Sequence, residues 1–155
     1  MFDLGSVDGG MLSLVYRPLP WLRVYGGGGS NSAAPGLRLG AAVSPFLHLR
    51  ELAFNLDGGH FFPGDINGLV RVLSTGGYTR DPRLEHFDYD FASLHLGWET
   101  QCAGVLFFVR GGASVLWTEI PATTTTNPER HWGNSAPEPF WLLLPSLRIG
   151  FIGFL

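Results

Sequence analysis

Residues 104–119 read GVLFFVRGGASVLWTE. In an extended chain, side chains alternate between two faces. Val105, Phe107, Val109, Gly111, Ala113, Val115 and Trp117 then share one face, and Leu106, Phe108, Arg110, Gly112, Ser114, Leu116 and Thr118 share the other. The first face is wholly apolar and ends in a tryptophan. The second is mixed, with an arginine at its middle. Hydrocarbon outward and polar groups inward is the alternation of a transmembrane β-strand.

The rest of the chain repeats the pattern. Leu12–Arg17 ends at the breaker Pro18-Leu19-Pro20, and Trp21–Gly27 returns with Leu22 and Val24 opposing Arg23 and Tyr25. Leu37, Leu39, Ala41 and Val43 oppose Arg38, Gly40 and Ala42. Leu52, Phe54 and Leu56 oppose Ala53, Asn55 and Asp57; Ala92, Leu94, Leu96 and Trp98 oppose Ser93, His95 and Gly97. A final run covers Phe140–Leu155. Between these runs the connections alternate short and long, the long ones being the polar stretch GGSNSAAPG and the segments Pro63–Leu84 and Pro121–Pro139. An apolar island, Leu69–Leu73, predicts a short hairpin arm within the first of those two segments. Short turns on one side and long loops on the other characterise outer-membrane barrels.

The expectation is therefore an all-β fold: one domain over residues 1–155, an antiparallel up-and-down transmembrane β-barrel of about eight strands. Seven strands are clear, and closed bacterial barrels have an even number. Two origins are open for the eighth. Phe2–Val7 supplies it in short form, or a first strand and a signal peptide lie upstream of Met1. The start, MFDLGSVDGG, has neither the basic nor the apolar region of a signal peptide.

Composition agrees with a membrane barrel. Charged residues make up 15% of the 155, against about 25% in ordinary soluble domains. Every basic residue is an arginine, and glycine is abundant. The net charge of -3 offers no basic footprint for nucleic acid. The longest strongly apolar stretches fall far short of the ~20 residues of a transmembrane helix. A single cysteine, Cys102, excludes an internal disulfide framework.

The C-terminal run SLRIGFIGFL resembles the closing strand of outer-membrane proteins, which the barrel insertion machinery reads. Arg148 and Gly150 occupy the polar and glycine places, whereas Gly153 and Leu155 stand where that pattern has aromatics, and Phe151 and Phe154 are out of phase. The segments YRPLPWLRVYGGGG and APGLRLGAAVSPF also resemble barrel proteins of unassigned activity from GC-rich Gram-negative bacteria such as myxobacteria. The resemblance implies a small eight-stranded barrel in the cell outer membrane and no particular chemistry.

Under that reading Arg23, Arg38, Asp57, His95, Arg110 and Arg148 face the lumen. An eight-stranded barrel is filled by its own side chains, and buried charges must pair. The expectation is a plug of arginine–carboxylate pairs, with Asp57 the first candidate partner for Arg110. The functional counterpart is a narrow conduit whose arginine excess favours anions. Trp21, Trp98, Trp117 and Trp141 sit at strand ends, as in an aromatic girdle. The expected partners are outer-membrane lipid and the insertion machinery, and the expected state is a monomer.

Other chemistry finds little support. His60, His86, His95 and His131 match no compact ligand motif. His86, Asp88 and Asp90 share a face and read as rim positions, and Asp65 and Asn67 supply too few ligands for a calcium loop. No metal, cofactor or catalytic residue is assigned, since G-x-S-x-G and P-loop motifs are missing and Gly26–Ser30 lacks phosphate-binding spacing. The protein is expected not to be an enzyme. The alternative is a soluble lipocalin-like barrel binding a small apolar ligand, with the same alternation turned inside out.

Overall fold

A computed structural model describes residues 1–31, 34–45, 51–64, 87–120 and 138–153. The described residues form eight strands in one closed antiparallel barrel, each paired with its neighbours in sequence and the last with the first. The strands are β1 (Phe2–Gly5), β2 (Gly9–Leu19), β3 (Leu22–Ser30), β4 (Pro35–Val43), β5 (Leu52–Gly64), β6 (Phe87–Cys102), β7 (Val105–Ile120) and β8 (Glu138–Gly153). Of the two origins open for the eighth strand, the structure uses the short one, Phe2–Gly5.

One end of the barrel carries the β2–β3, β4–β5 and β6–β7 connections and is here called the turn end. The other, the loop end, is where β1 turns into β2 through residues 6–8, where β3, β5 and β7 end, and where β4, β6 and β8 begin. The glycine run 26–29 lies in the loop-end half of β3 and pairs on both sides. The β6–β7 hairpin closes over Ala103 and Gly104, both with positive φ (51° and 81°). That left-handed pair matches the right-handed twist of the flanking strands. The apolar island Leu69–Leu73 and most of both long segments lie outside the described residues.

The wall is uneven. β6, β7 and β8 each run 16 residues, whereas β1 has four. β1 therefore spans only part of the gap between β2 and β8, pairing Phe2–Gly5 with Leu12–Gly9 and with Phe151–Arg148. Two further bonds extend the seam by one step: Ser6 N donates to Leu147 O (2.9 Å), and Leu147 N donates to Ser6 Oγ (3.0 Å). Among the described residues, β8 from Ser146 back to Glu138 has no strand on that edge.

Over the middle of the strands, alternation sorts the side chains, while both faces are exposed at 139–143 of β8 and 16–19 of β2. On β7, Phe107, Val109, Val115 and Trp117 are exposed, while Leu106, Phe108, Arg110 and Ser114 are buried. Leu14 and Leu39 are among the most exposed large side chains, at 87% and 74%. Inside, a loop-end layer of Met11, Ala34, Phe61, Tyr89 and Phe91 and a turn-end layer of Leu106, Phe108 and Ile152 are both apolar. Between them lies a polar belt. Along β6 the buried order from the loop end is Tyr89, Phe91, Ser93, His95 and Glu99; along β7 from the turn end it is Leu106, Phe108, Arg110 and Ser114.

Candidate functional site: the luminal charge belt

The belt is built from residues that alternation turns inward at mid-strand, on every strand of the barrel. All six luminal residues expected from the sequence, Arg23, Arg38, Asp57, His95, Arg110 and Arg148, are buried. Three carboxylates join them: Asp3 on β1, Asp8 in the turn after it, and Glu99 on β6. Among the described residues the lumen thus holds four arginines and four carboxylates. The arginine excess expected for an anion conduit disappears once these partners are counted.

The charges fall into two groups. In the central knot, Arg38 Nη1 and Nη2 fork onto Asp3 (2.8 and 2.6 Å), Nη1 also donates to Asp8 (2.6 Å), and Nη2 to Ser13 Oγ (3.2 Å). Arg148 makes a matching fork onto Asp57 (2.7 and 3.0 Å) and donates to Asp8 (2.6 Å). Asp8 therefore clamps both guanidinium groups, and Tyr25 OH adds a bond to Asp57 (3.0 Å). Planar forks of this kind are the strongest arginine–carboxylate geometry.

The second group lies toward the turn end. Arg23 donates to Glu99 Oε2, and Arg110 Nη2 donates to Glu99 Oε1 at 3.3 Å. The expected Arg110–Asp57 pair is not made. Asp57 is taken by Arg148, and Arg110 uses Glu99 instead. The rest of the Arg110 guanidinium stacks on the Phe108 ring, 3.8 Å from its centroid. Tyr25 lies between the two groups, with Arg38 and Arg110 at 5.4 and 5.9 Å from its ring centroid. Arg23 and Glu99 also line a turn-end vestibule of about 420 Å³ with Arg17, Trp21 and Glu51.

Room for these side chains comes from facing glycines. A Cβ on Gly40 would lie 2.5 Å from Asp57 Cβ, and one on Gly97 would lie 2.7 Å from Arg110 Cγ. His95, also in the belt, has Nε2 2.9 Å from Ser146 Oγ and Nδ1 3.9 Å from Asp57 Oδ2.

The four expected girdle residues, Trp21, Trp98, Trp117 and Trp141, are all exposed; Trp98, Trp117 and Trp141 lie on outward strand positions, and Trp21 sits in the β2–β3 turn at the rim of the vestibule. Trp117 and Trp141 are paired across β7 and β8 near the loop end, and Trp21 and Trp98 lie toward the turn end. Asp90 is bonded to His60 (3.0 Å) rather than grouped with Asp88 alone. His86, His131, Asp65 and Asn67, together with Phe154 and Leu155 of the closing-strand pattern, lie outside the described residues. Among the described residues no group of three or more His, Cys, Asp or Glu is arranged to hold a metal ion.

Sequence reasoning missed Asp3, Asp8 and Glu99. Glu99 had a usable signal, since it is in phase with His95 and Gly97; Asp3 is in phase between Phe2 and Leu4. No protein-family model, curated protein or solved structure matches the chain.

Proposed function

We propose that the protein is an outer-membrane β-barrel whose lumen is locked by arginine–carboxylate pairs, acting as a structural or surface-interaction element rather than an open pore. One observation carries this reading: the polarity of the barrel is inverted, with its charges inside and its hydrocarbon outside. Among the described residues, 27 large hydrophobic side chains are exposed, and those on the outward phase of the strands, such as Leu14, Leu39, Leu56 and Leu94, make up the outer wall. Soluble monomers rarely present contiguous apolar patches above a few hundred Å². In a bilayer the same wall meets lipid. A tilted strand needs about 9–11 residues to cross; β2 to β8 have 9 to 16, and β1, with four, covers only part of the depth. A lipocalin-like barrel calls for the opposite arrangement, an apolar cavity and a polar exterior, so the burial pattern favours the membrane. Over most of its length the ladder is closed, which suits a medium that cannot solvate free amides; among the described residues the β8 edge from Ser146 back to Glu138 is the exception.

The lock follows from the belt and its two apolar caps. A guanidinium in a low-dielectric interior is costly alone and tolerable when forked onto carboxylate. Such pairs fill the bore, fix strand register and leave surface interaction to the outer rim and loops. The barrel insertion machinery, acting on the closing strand, and outer-membrane lipid are the partners this reading implies.

The decisive experiment is extraction. Expressed with an export signal, the protein should leave the membrane fraction only with detergent and should migrate faster on a gel unheated than boiled. A freely soluble monomer in plain buffer overturns the reading. For the lock, planar-bilayer recordings should show no single-channel steps in the wild type; a steady conductance would replace the plugged scaffold with a narrow pore.

A further inference from the structure

Asp57, His95 and Ser146 meet in the lumen from β5, β6 and β8. Ser146 Oγ is 2.9 Å from His95 Nε2, and the other ring nitrogen of His95 faces Asp57 Oδ2 at 3.9 Å. His95 and Ser146 do not sit on neighbouring strands. They flank Gly112 of β7, which is in register with both. Because Gly112 has no side chain, the imidazole reaches across a whole strand to the hydroxyl. A Cβ there would lie 2.8 Å from His95 Cα and 1.9 Å from Leu94 O. We infer that Ser146 is a nucleophile activated by His95, and that the barrel hydrolyses acyl esters drawn from the surrounding lipid.

Three features go beyond what a filler hydrogen bond requires. First, the serine stands at the seam. The pairing of β8 with β1 ends at Arg148 and the Ser6–Leu147 bonds, and Ser146 is the first residue past them. The free edge of β8 begins at the nucleophile, which makes the end of the seam the side from which an ester carbonyl would approach. Second, Ser146 keeps 5% exposure where Ser114, one layer nearer the loop end, has none. Third, Arg110 lies on the same face as Gly112, one layer toward the turn end, and among the described residues its Nε and Nη1, stacked on the Phe108 ring, have no hydrogen-bond acceptor. Cationic donors without an acceptor are what a developing oxyanion needs.

The chemistry is ordinary acyl transfer. Ser146 Oγ bonds to the ester carbonyl carbon while its proton passes to His95 Nε2. The tetrahedral adduct collapses, the bond from carbon to the alcohol oxygen breaks, and the alcohol leaves with the proton from His95. Water then attacks the acyl-serine carbon and gives a proton to His95. Collapse releases the fatty acid and returns that proton to Ser146. Asp57 stands 3.9 Å from His95 Nδ1 without a hydrogen bond to it and is already forked by Arg148, so it acts on the imidazolium only through space.

The lipid source of the substrate rests on the membrane reading, whereas the reactivity of Ser146 does not, so the experiment separates them. The folded, detergent-solubilised barrel is treated with an alkyl fluorophosphonate, which loses fluoride on attack by an activated serine. The adduct is mapped by mass spectrometry. Labelling is expected at Ser146, lost in Ser146→Ala, and reduced about 100-fold or more in His95→Gln, in the range typical of general-base removal. Gln keeps a hydrogen bond to Ser146 but cannot accept its proton. Folded wild type that stays unlabelled at Ser146, or equal labelling of wild type and H95Q, overturns the proposal. If H95Q does not fold, S146A, which removes a single oxygen, carries the test alone. Fatty-acid release from phospholipid vesicles by wild type and not by S146A is expected in addition. Labelling without such release would overturn the lipid substrate and leave the nucleophile standing.

Discussion

The two charge groups in the lumen use the same residue types and are built to different standards. The central knot sets two arginines, Arg38 and Arg148, against three carboxylates, Asp3, Asp8 and Asp57. It carries one excess negative charge, and both arginines are forked. The turn-end group sets Arg23 and Arg110 against Glu99 alone. It carries one excess positive charge, its Arg110 bond is long, and one guanidinium is held largely by a phenyl ring. The knot has two apolar layers between it and the barrel ends, while the turn-end group opens onto the vestibule. The difference teaches where the barrel is fixed and where it is adjustable: closure of β1 against β8 depends on the knot, and occlusion of the turn-end mouth depends on Glu99.

The largest effect should come from Arg148→Ala. It strands Asp57 and half of Asp8 in a dry interior, and removing one partner of a buried ion pair costs about 3–5 kcal/mol. Because Asp3 and Asp8 sit on or beside the four-residue β1, the seam should open first. The expected result is loss of the fast-migrating unheated band, or a sharply lowered unfolding midpoint in detergent. An R148A barrel as stable as any turn-end variant would abolish the distinction between the groups.

A charge moved from the lumen to the wall sharpens the comparison from outside. Leu39 is on β4 beside Arg38 and faces outward, 74% exposed. Leu39→Arg adds a second guanidinium one residue away with no carboxylate in reach. In a bilayer such a substitution costs about 2–4 kcal/mol near the midplane; on a water-exposed wall it would change little. Urea unfolding in lipid vesicles, wild type against L39R, reads the difference. Equal stabilities would sink the membrane placement of this wall.

How much of this was legible in the sequence depends on the range of the interaction. Alternation is local, so the inward places of Arg23, Arg38, Asp57, His95, Arg110 and Arg148 could be read from their immediate neighbours. The pairings could not. Which luminal residues share a level is set by the stagger of strands around the closed sheet, and a period of two contains nothing about stagger. Asp57 therefore read as the partner of Arg110 and turned out to serve Arg148. Asp3 was passed over because β1 is too short to show alternation, and Asp8 because it lies in a turn that folds into the bore. The His95–Ser146 contact spans an intervening strand through Gly112, which looked like one more glycine in a glycine-rich chain.

Glu99→Gln comes next in size and tests the adjustable half. The substitution keeps the shape and removes the carboxylate that bridges Arg23 and Arg110. Leaving a buried charged donor unsatisfied costs about 1–3 kcal/mol, reduced here because the vestibule admits water. The barrel should still fold and show heat-modifiable migration. Its turn-end mouth should now carry two unpaired guanidinium groups, so any bilayer conductance it gains should be anion-selective. Arg110→Ala is the counterpart. It leaves Arg23 paired with Glu99 and withdraws the cation stacked on Phe108. If E99Q and R110A are both as silent as the wild type, the turn-end group is scaffold like the knot, and the apolar layers alone close the bore.

The smallest effect is expected at the girdle. Trp141 is 69% exposed and pairs across the ladder with Trp117, so its removal opens no cavity and strands no polar group. Exposed substitutions of this kind usually change stability by no more than about 0.5 kcal/mol. Trp141→Ala should therefore leave the unfolding midpoint unchanged within error while altering the depth at which the loop end sits. Quenching of Trp117 fluorescence by bromine-labelled lipids at graded depths reports that change. A W141A barrel that loses stability comparably to E99Q would mean that β8 is held at its loop end by outer-wall packing, and that the luminal groups are not the sole determinants of where this barrel is rigid.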